Sequence, residues 1–274
     1  MSFPGVPRKK SRTIPLIAEL KMDDGHESPQ PSVATAACFA NQCDLWVAVD
    51  IETHMLVPAS KGRFWITGQY GHSCRVDDAA MADLRVVQLG WCVGRFSSAA
   101  PPQVTQFLVR PSGFEVETAA TAKHRITTER AENEGVPLRK ALATMLEDVF
   151  AVVQQGGRLC AHQLEFDCGV IALELQRAGL EDSVPAWCQV ATEGFCTINP
   201  AVTRWSCSRL FDEVGADSFL GRRRPVGLND MVRCLLPNAK SLWEQHHDAG
   251  WDAQMAWLVL RELHTRMAAA AAAT

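Results

Sequence analysis

Apolar side chains run almost unbroken from position 45 to 51, the pattern of a strand buried on both faces and central in a sheet. Asp50 falls at its end. Two more β-rich runs follow at 85–93 and 104–109, the latter closed by Pro111, and together the three predict a meander that precedes any long helix. The period then changes. Leu138, Leu142, Met145, Leu146, Val149 and Val153 form a helical stripe over 136–155 that ends in Gly156-Gly157. A short strand at 158–161 and a helix at 165–178, closed by Gly179, come next. Farther on, a helix at 227–235 is stopped by Pro237, and a long one over 248–267 is marked at successive turns by Met255, Leu258, Val259 and Glu262. Strands first and helices later predict an α/β or α+β layered fold.

The flanks and one internal stretch lack such periods. Positions 1–42 are rich in Pro, Ser, Ala and charge and predict a flexible leader. The alanine-rich end, 268–274, is expected to fray as a tail. Between them lies one domain, 43–267, interrupted at about 54–84 by an aperiodic insertion carrying Gly62, Trp65, Gly68, Tyr70 and Gly71. A chain of 274 residues with 47% hydrophobic and 21% charged residues can bury a sizeable core.

Charge and cysteine usage narrow the setting. The formal charge of -4 excludes a global positive field, but not an enzyme that grips a few nucleotides at a strand end. Ten cysteines occur without a CxxC pair, which predicts reduced thiols and an intracellular, cytoplasmic or nuclear, location. No apolar stretch long enough for a signal peptide follows the basic cluster Arg8, Lys9, Lys10 and Arg12, and no run of about 20 apolar residues predicts a membrane span.

Three segments carry candidate chemistry. In Val47-Ala48-Val49-Asp50-Ile51-Glu52-Thr53 two carboxylates stand two apart, and on a strand that spacing sends both to one face. In Ala161-His162-Gln163-Leu164-Glu165-Phe166-Asp167 a strand breaks into a helix with Asp167 near its start, where an acid also favours the helix dipole. In His247-Asp248-Ala249-Gly250-Trp251-Asp252, His247 and Asp252 differ by roughly 140° on a regular helix. His247 is therefore expected to precede the helix, with Asp248 as N-cap and Asp252 in the first turns.

In that order the segments resemble the DxET, AHxxxFD and HxAxxD motifs of the DEDDh 3′–5′ exonucleases, which include polymerase proofreading subunits, ribonuclease T and oligoribonuclease. Val87-Gln88-Leu89-Gly90 and Lys123-His124-Arg125-Ile126-Thr127 also look like the family, and the similarity covers about residues 45–265. The sequence departs from the pattern at His54, where Thr-Gly is common, at Gln163, where Asn is usual, and in the longer 53–85 stretch.

The resemblance implies a ribonuclease H-like mixed β-sheet flanked by α-helices, and hydrolysis of RNA or DNA from single-stranded 3′ ends to nucleoside 5′-monophosphates. It implies two Mg²⁺ or Mn²⁺ ions held by Asp50, Glu52, Asp167 and Asp252, with His247 as general base. Asp50 would bridge the ions, Glu52 and Asp252 would bind the nucleophile-side ion, and Asp167 the other. Substrate contacts would come from Thr53, Met55, Leu56, His162 and Phe166, and a homodimer is compatible with it. Apart from the family, Arg222-Arg223-Arg224, Trp65, Tyr70 and Trp251 are candidates for phosphate pairing and base stacking.

The chemistry itself asks for these groups. Like charges about 4 Å apart repel by roughly 4 kcal/mol at an effective dielectric near 20, so converging carboxylates call for cations. All-oxygen donors select hard ions, and a pair of them can activate water and stabilise the leaving oxygen. A histidine supplies a base poised near neutral pH. Two other readings are an endonuclease or tyrosine-type relative of the same fold and a catalytically silent nucleic-acid-binding or scaffold protein. The single tyrosine, Tyr70, lies far in sequence from the third motif, and none of the acids is missing.

Overall fold

The computed structural model describes residues 44–56, 82–198, 226–236 and 247–272. The expected leader, most of the 54–84 insertion, Trp65, Tyr70 and Arg222–224 lie outside the described residues.

Strands β1 (Leu45–Thr53), β2 (Val86–Arg95) and β3 (Gln103–Leu108) form the expected antiparallel meander. Strand β4 (Arg158–Ala161) adds in parallel to the other side of β1, and β5 (Phe195–Cys196) in parallel to β4, giving the order β3-β2-β1-β4-β5. The unbroken apolar run of β1 is explained by that placement, since a central strand is covered on both faces. Val109, expected in the third strand, instead makes a single parallel bridge to Val136.

Two short helices, α1 (Thr118–His124) and α2 (Thr128–Glu134), follow β3. They carry no long apolar stripe, which is why periodicity did not reveal them. Next come α3 (Leu138–Gln154), α4 (Leu164–Arg177) and α5 (Val184–Thr192), then α6 (Leu228–Leu235) and α7 (Ala249–Ala272). The last helix runs past the expected end at 267, because alanine has the highest helix propensity and lets the backbone continue through the alanine run.

The period-two alternation of β1 divides the molecule into two cores. Val47, Val49 and Ile51 face α3, α4 and α5 with Trp91, Leu142, Met145, Ile171 and Trp187. Trp46 and Ala48 face α6 and α7 with Cys92, Met231, Trp257 and Leu260. Asp50 and Glu52 continue the second row and so share the face on which α7 lies. Among the described residues no cysteine is in a disulfide: Cys92, Cys160, Cys168 and Cys196 are buried, whereas Cys188 and Cys234 are half-buried.

Candidate active site

The site forms where the C-terminal end of β1 meets the starts of α4 and α7. Register sets its floor. Glu52 lies opposite Gln88, Asp50 opposite Gly90, and Gly90 opposite Gln106, so these five positions share one face of the sheet. At Gly90 a Cβ would fall 2.2 Å from the backbone of Ala249 and Gly250, so only glycine lets the start of α7 settle beside Asp50.

Three non-glycine residues among those described adopt left-handed backbone: Arg125 (φ 62°), Gln163 (φ 68°) and His247 (φ 64°). Each stands at a junction that serves the site. Gln163 turns β4 into α4 and so delivers Asp167, its carbonyl accepting the N–H groups of Phe166 and Asp167. His247 precedes α7 as expected, and its own N–H donates to Asp252 Oδ2 at 3.0 Å. Asp248 is the N-cap, accepting the Trp251 N–H at 3.1 Å. Arg125 ends α1 just after His124. The His124 Nδ1 accepts the Ile126 N–H, which leaves the hydrogen on Nε2, and Nε2 donates to the carbonyl of Thr53 at 3.2 Å. Backbone strain of this kind concentrates where surrounding contacts over-determine the conformation.

All four acids converge. Asp50 feels the charges of Asp167, Asp252, Glu52 and Asp248, and Asp167 feels those of Glu52 and Asp252. Burial, reinforced by these neighbours, pushes Asp50 well above the ordinary carboxylate range. Asp167, 2% exposed, is likewise raised by burial, against a hydrogen bond from the Ile51 N–H. Glu52 rises to about 8 through burial and then the Asp252 charge, with Lys123 opposing. Asp252 rises to about 7 through burial, opposed by the His247 N–H. Such a cluster binds protons unless cations replace them.

The donor set fits a divalent ion. Glu52, His247 and Asp252 offer ligand atoms that lie within 4.8 Å of one another. The His247 Nδ1 stands 3.9 Å from Glu52 Oε1 with its side chain 37% exposed. Asp167 Oδ2 is buried with no hydrogen-bond partner among the described residues, a costly state that a coordinated cation would relieve.

The expected substrate contacts divide. Leu56 is 38% exposed, whereas Met55 and Phe166 are half-buried and pack on the first core. Thr53 is buried and donates its hydroxyl to the Met55 carbonyl at 2.8 Å. His162 is buried, with Nδ1 at 2.8 Å from Thr197 Oγ1 and Nε2 at 3.1 Å from the Val226 carbonyl, and burial pushes its pKa down to about 4. Trp251, a candidate for base stacking, is instead 8% exposed within the second core. The segments that hold Gln88 and His124 look like the family without indicating a role for either side chain, and nothing in the sequence singles out Gln106. Their signal is slight: a lone amide in an apolar strand, and a histidine whose partner is a backbone carbonyl 71 residues away.

A mixed sheet flanked by helices on both faces, with acids gathered at the end of its central strand, defines a ribonuclease H-like architecture with a cation-seeking site. Solved structures with the same fold include exonuclease I of E. coli bound to single-stranded DNA in a zinc-ion form, with a TM-score of 0.57 and 13% identity over 83% of this chain. Exonuclease I of Methylocaldum szegediense aligns at a TM-score of 0.55 and 14% identity over 82% of this chain. The alignments cover 42% and 41% of those longer chains, so this chain matches less than half of either enzyme. No family profile and no curated protein matches the sequence. Among the described residues, no helix is long and apolar enough to cross a membrane.

Proposed function

We propose that this chain is a divalent-cation-dependent 3′–5′ exonuclease of the DEDDh type, acting on single-stranded RNA or DNA and releasing nucleoside 5′-monophosphates. The observation that carries the reading is the meeting of acids from three remote segments with a half-exposed imidazole. The fold shared with exonuclease I supports it, one of those structures being a complex with single-stranded DNA.

Asp50, Glu52, Asp167 and Asp252 would hold the cations, Mg²⁺ or Mn²⁺ as a pair. When bound, such ions supply Lewis acidity and charge neutralisation at a phosphodiester. The chain's own groups do the rest. His247, beside Glu52 and open to solvent, takes a proton from the attacking water. The water oxygen bonds to phosphorus as the bond to the upstream 3′ oxygen breaks, and that oxygen takes up a proton from solvent, leaving a new 3′-hydroxyl and a 5′-monophosphate. The Asp252 carboxylate, held by the His247 N–H, keeps that histidine over the site. Leu56, exposed beside the first motif, would be the apolar group that meets the terminal bases. His162, with both ring nitrogens on protein partners, acts by holding the β4–α4 turn rather than by touching substrate.

The test uses purified protein with 5′-labelled single-stranded RNA, single-stranded DNA and duplexes, in Mg²⁺, Mn²⁺ or chelator. A cation-dependent ladder of products shortened stepwise from the 3′ end is expected. One internal fragment would make it an endonuclease, and tight binding without cleavage would make it a silent binder.

A further inference from the structure

The first N–H groups of a helix have no partner within it. In α7 two glutamines of the sheet receive them. Gln88 Oε1 accepts the Ala249 N–H and Gln106 Oε1 the Gly250 N–H, both at 3.1 Å. Gln88 Nε2 donates to Asp248 Oδ2 at 3.0 Å and reaches Gln106 Oε1 at 3.4 Å. The side chain of Gln88 thus grips the cap and the first turn of α7 at once.

Three features mark this contact as more than ordinary capping. Gln88 is 3% exposed and interrupts the apolar run Val86-Val87-Gln88-Leu89, where an amide is costly unless its groups are used. Asp248 already caps the helix through Trp251, and Gln88 ties that same cap side chain and the buried Ala249 N–H to the sheet with one amide. The clamp also joins two parts of one site, since Gln88 lies opposite Glu52 in the sheet while His247 and Asp252 flank the residues it holds.

We infer that Gln88 is a positioning residue that sets the start of α7 over the sheet, so that His247 and Asp252 meet Glu52 at the cation site. The inference rests on the exonuclease reading for the meaning of that site. The amide is essential because it must donate to a carboxylate and accept from an N–H with the same planar group. A glutamate there would set a second carboxylate against Asp248, and a leucine would keep the volume while losing every bond.

The experiment compares the wild-type protein with Gln88→Leu and Gln88→Glu by two readouts. Mn²⁺ titration followed by thermal melting measures cation affinity without substrate, and single-strand cleavage at saturating Mn²⁺ measures kcat and KM. Loss of a group that orients ligands is expected to raise the Mn²⁺ half-saturation and lower kcat by about 10–100-fold in all. KM for the oligonucleotide should stay within about twofold, since uniform substrate binding is untouched. Wild-type Mn²⁺ affinity and kcat in Gln88→Leu would overturn the inference. Should that variant not fold in chelator, Gln106→Leu, which removes the Gly250 contact, decides it: unchanged Mn²⁺ half-saturation and kcat overturn the inference, and smaller losses in the same direction support it. A protein whose Mn²⁺ binding depends on Gln88 but which cuts no nucleic acid would keep the positioning role and reject the exonuclease reading.

Discussion

At Asp50 the requirements of folding and of chemistry oppose each other. Its carboxylate is surrounded by four others and raised well above the usual range by burial and their charges. Asparagine keeps the shape and removes one of the repelling charges. Asp50→Asn is therefore expected to melt at a higher temperature than wild type in chelator, to lose the stabilisation by Mn²⁺, and to lose cleavage by more than about 100-fold, beyond the loss typical of outer ligand partners. Melting curves with and without Mn²⁺, beside a cleavage assay, check this; a variant that still cleaves at the wild-type rate sinks the assignment. The three left-handed residues tell a similar story. Asn tolerates that conformation better than most residues, which is the physical sense of the asparagine usual in the resembling family, whereas this chain places Gln163 there at φ 68°.

Elements act here mainly through how closely they approach. The start of α7 lies so near β2 that a Cβ on Gly90 would collide with the backbone of Ala249 and Gly250. Backbone cannot swing aside as a side chain can. Gly90→Ala is expected to lose about 1–3 kcal/mol in denaturant unfolding and to depress cleavage further than that loss explains, by lifting His247 and Asp252 from the sheet. Cleavage measured well below the melting temperature separates the two effects, and unaltered stability and activity together would refute the close approach. Gly250 is confined less strictly, because the atom 2.2 Å from an added Cβ there is the side-chain Oε1 of Gln106, which can move at the cost of its bond to the Gly250 N–H.

For the whole molecule the acid cluster sets a pH dependence with a definite sign. Glu52 and Asp252 hold protons in the folded chain up to about 8 and about 7, against ordinary values of 4.5 and 3.8. The folded form then binds more protons than the unfolded form across that interval, so stability declines as pH rises. In chelator the melting temperature should fall from about pH 5 to about pH 8, the window these raised pKa values span. Saturating Mg²⁺ or Mn²⁺ should flatten or reverse that slope, because a bound cation favours the ionised acids and stabilises the folded form by mass action. A chelator profile that rises with pH would contradict the cluster. Against this background the formal charge of -4 is no obstacle to the proposed polyanionic substrate, since cations at the site would offset its negative charge.

The sequence alone determined the core elements and singled out the acids that converge in the fold. The unbroken run at β1, the β-rich runs of β2 and β3 and the stripes of α3 and α7 are local properties of hydrophobic order, and each appears within a few residues of its expected place. The spacing of Asp50 and Glu52 and the break between His247 and α7 were equally local. Tertiary structure decided what depends on partners distant in sequence. The burial of Trp251, the internal bonds of His162, the tie from His124 to Thr53 and the glutamine clamp on α7 each join positions that no local period connects. The physical reason is that periodicity reports which face of an element is apolar, whereas strand register and helix approach decide which polar groups come into contact across it.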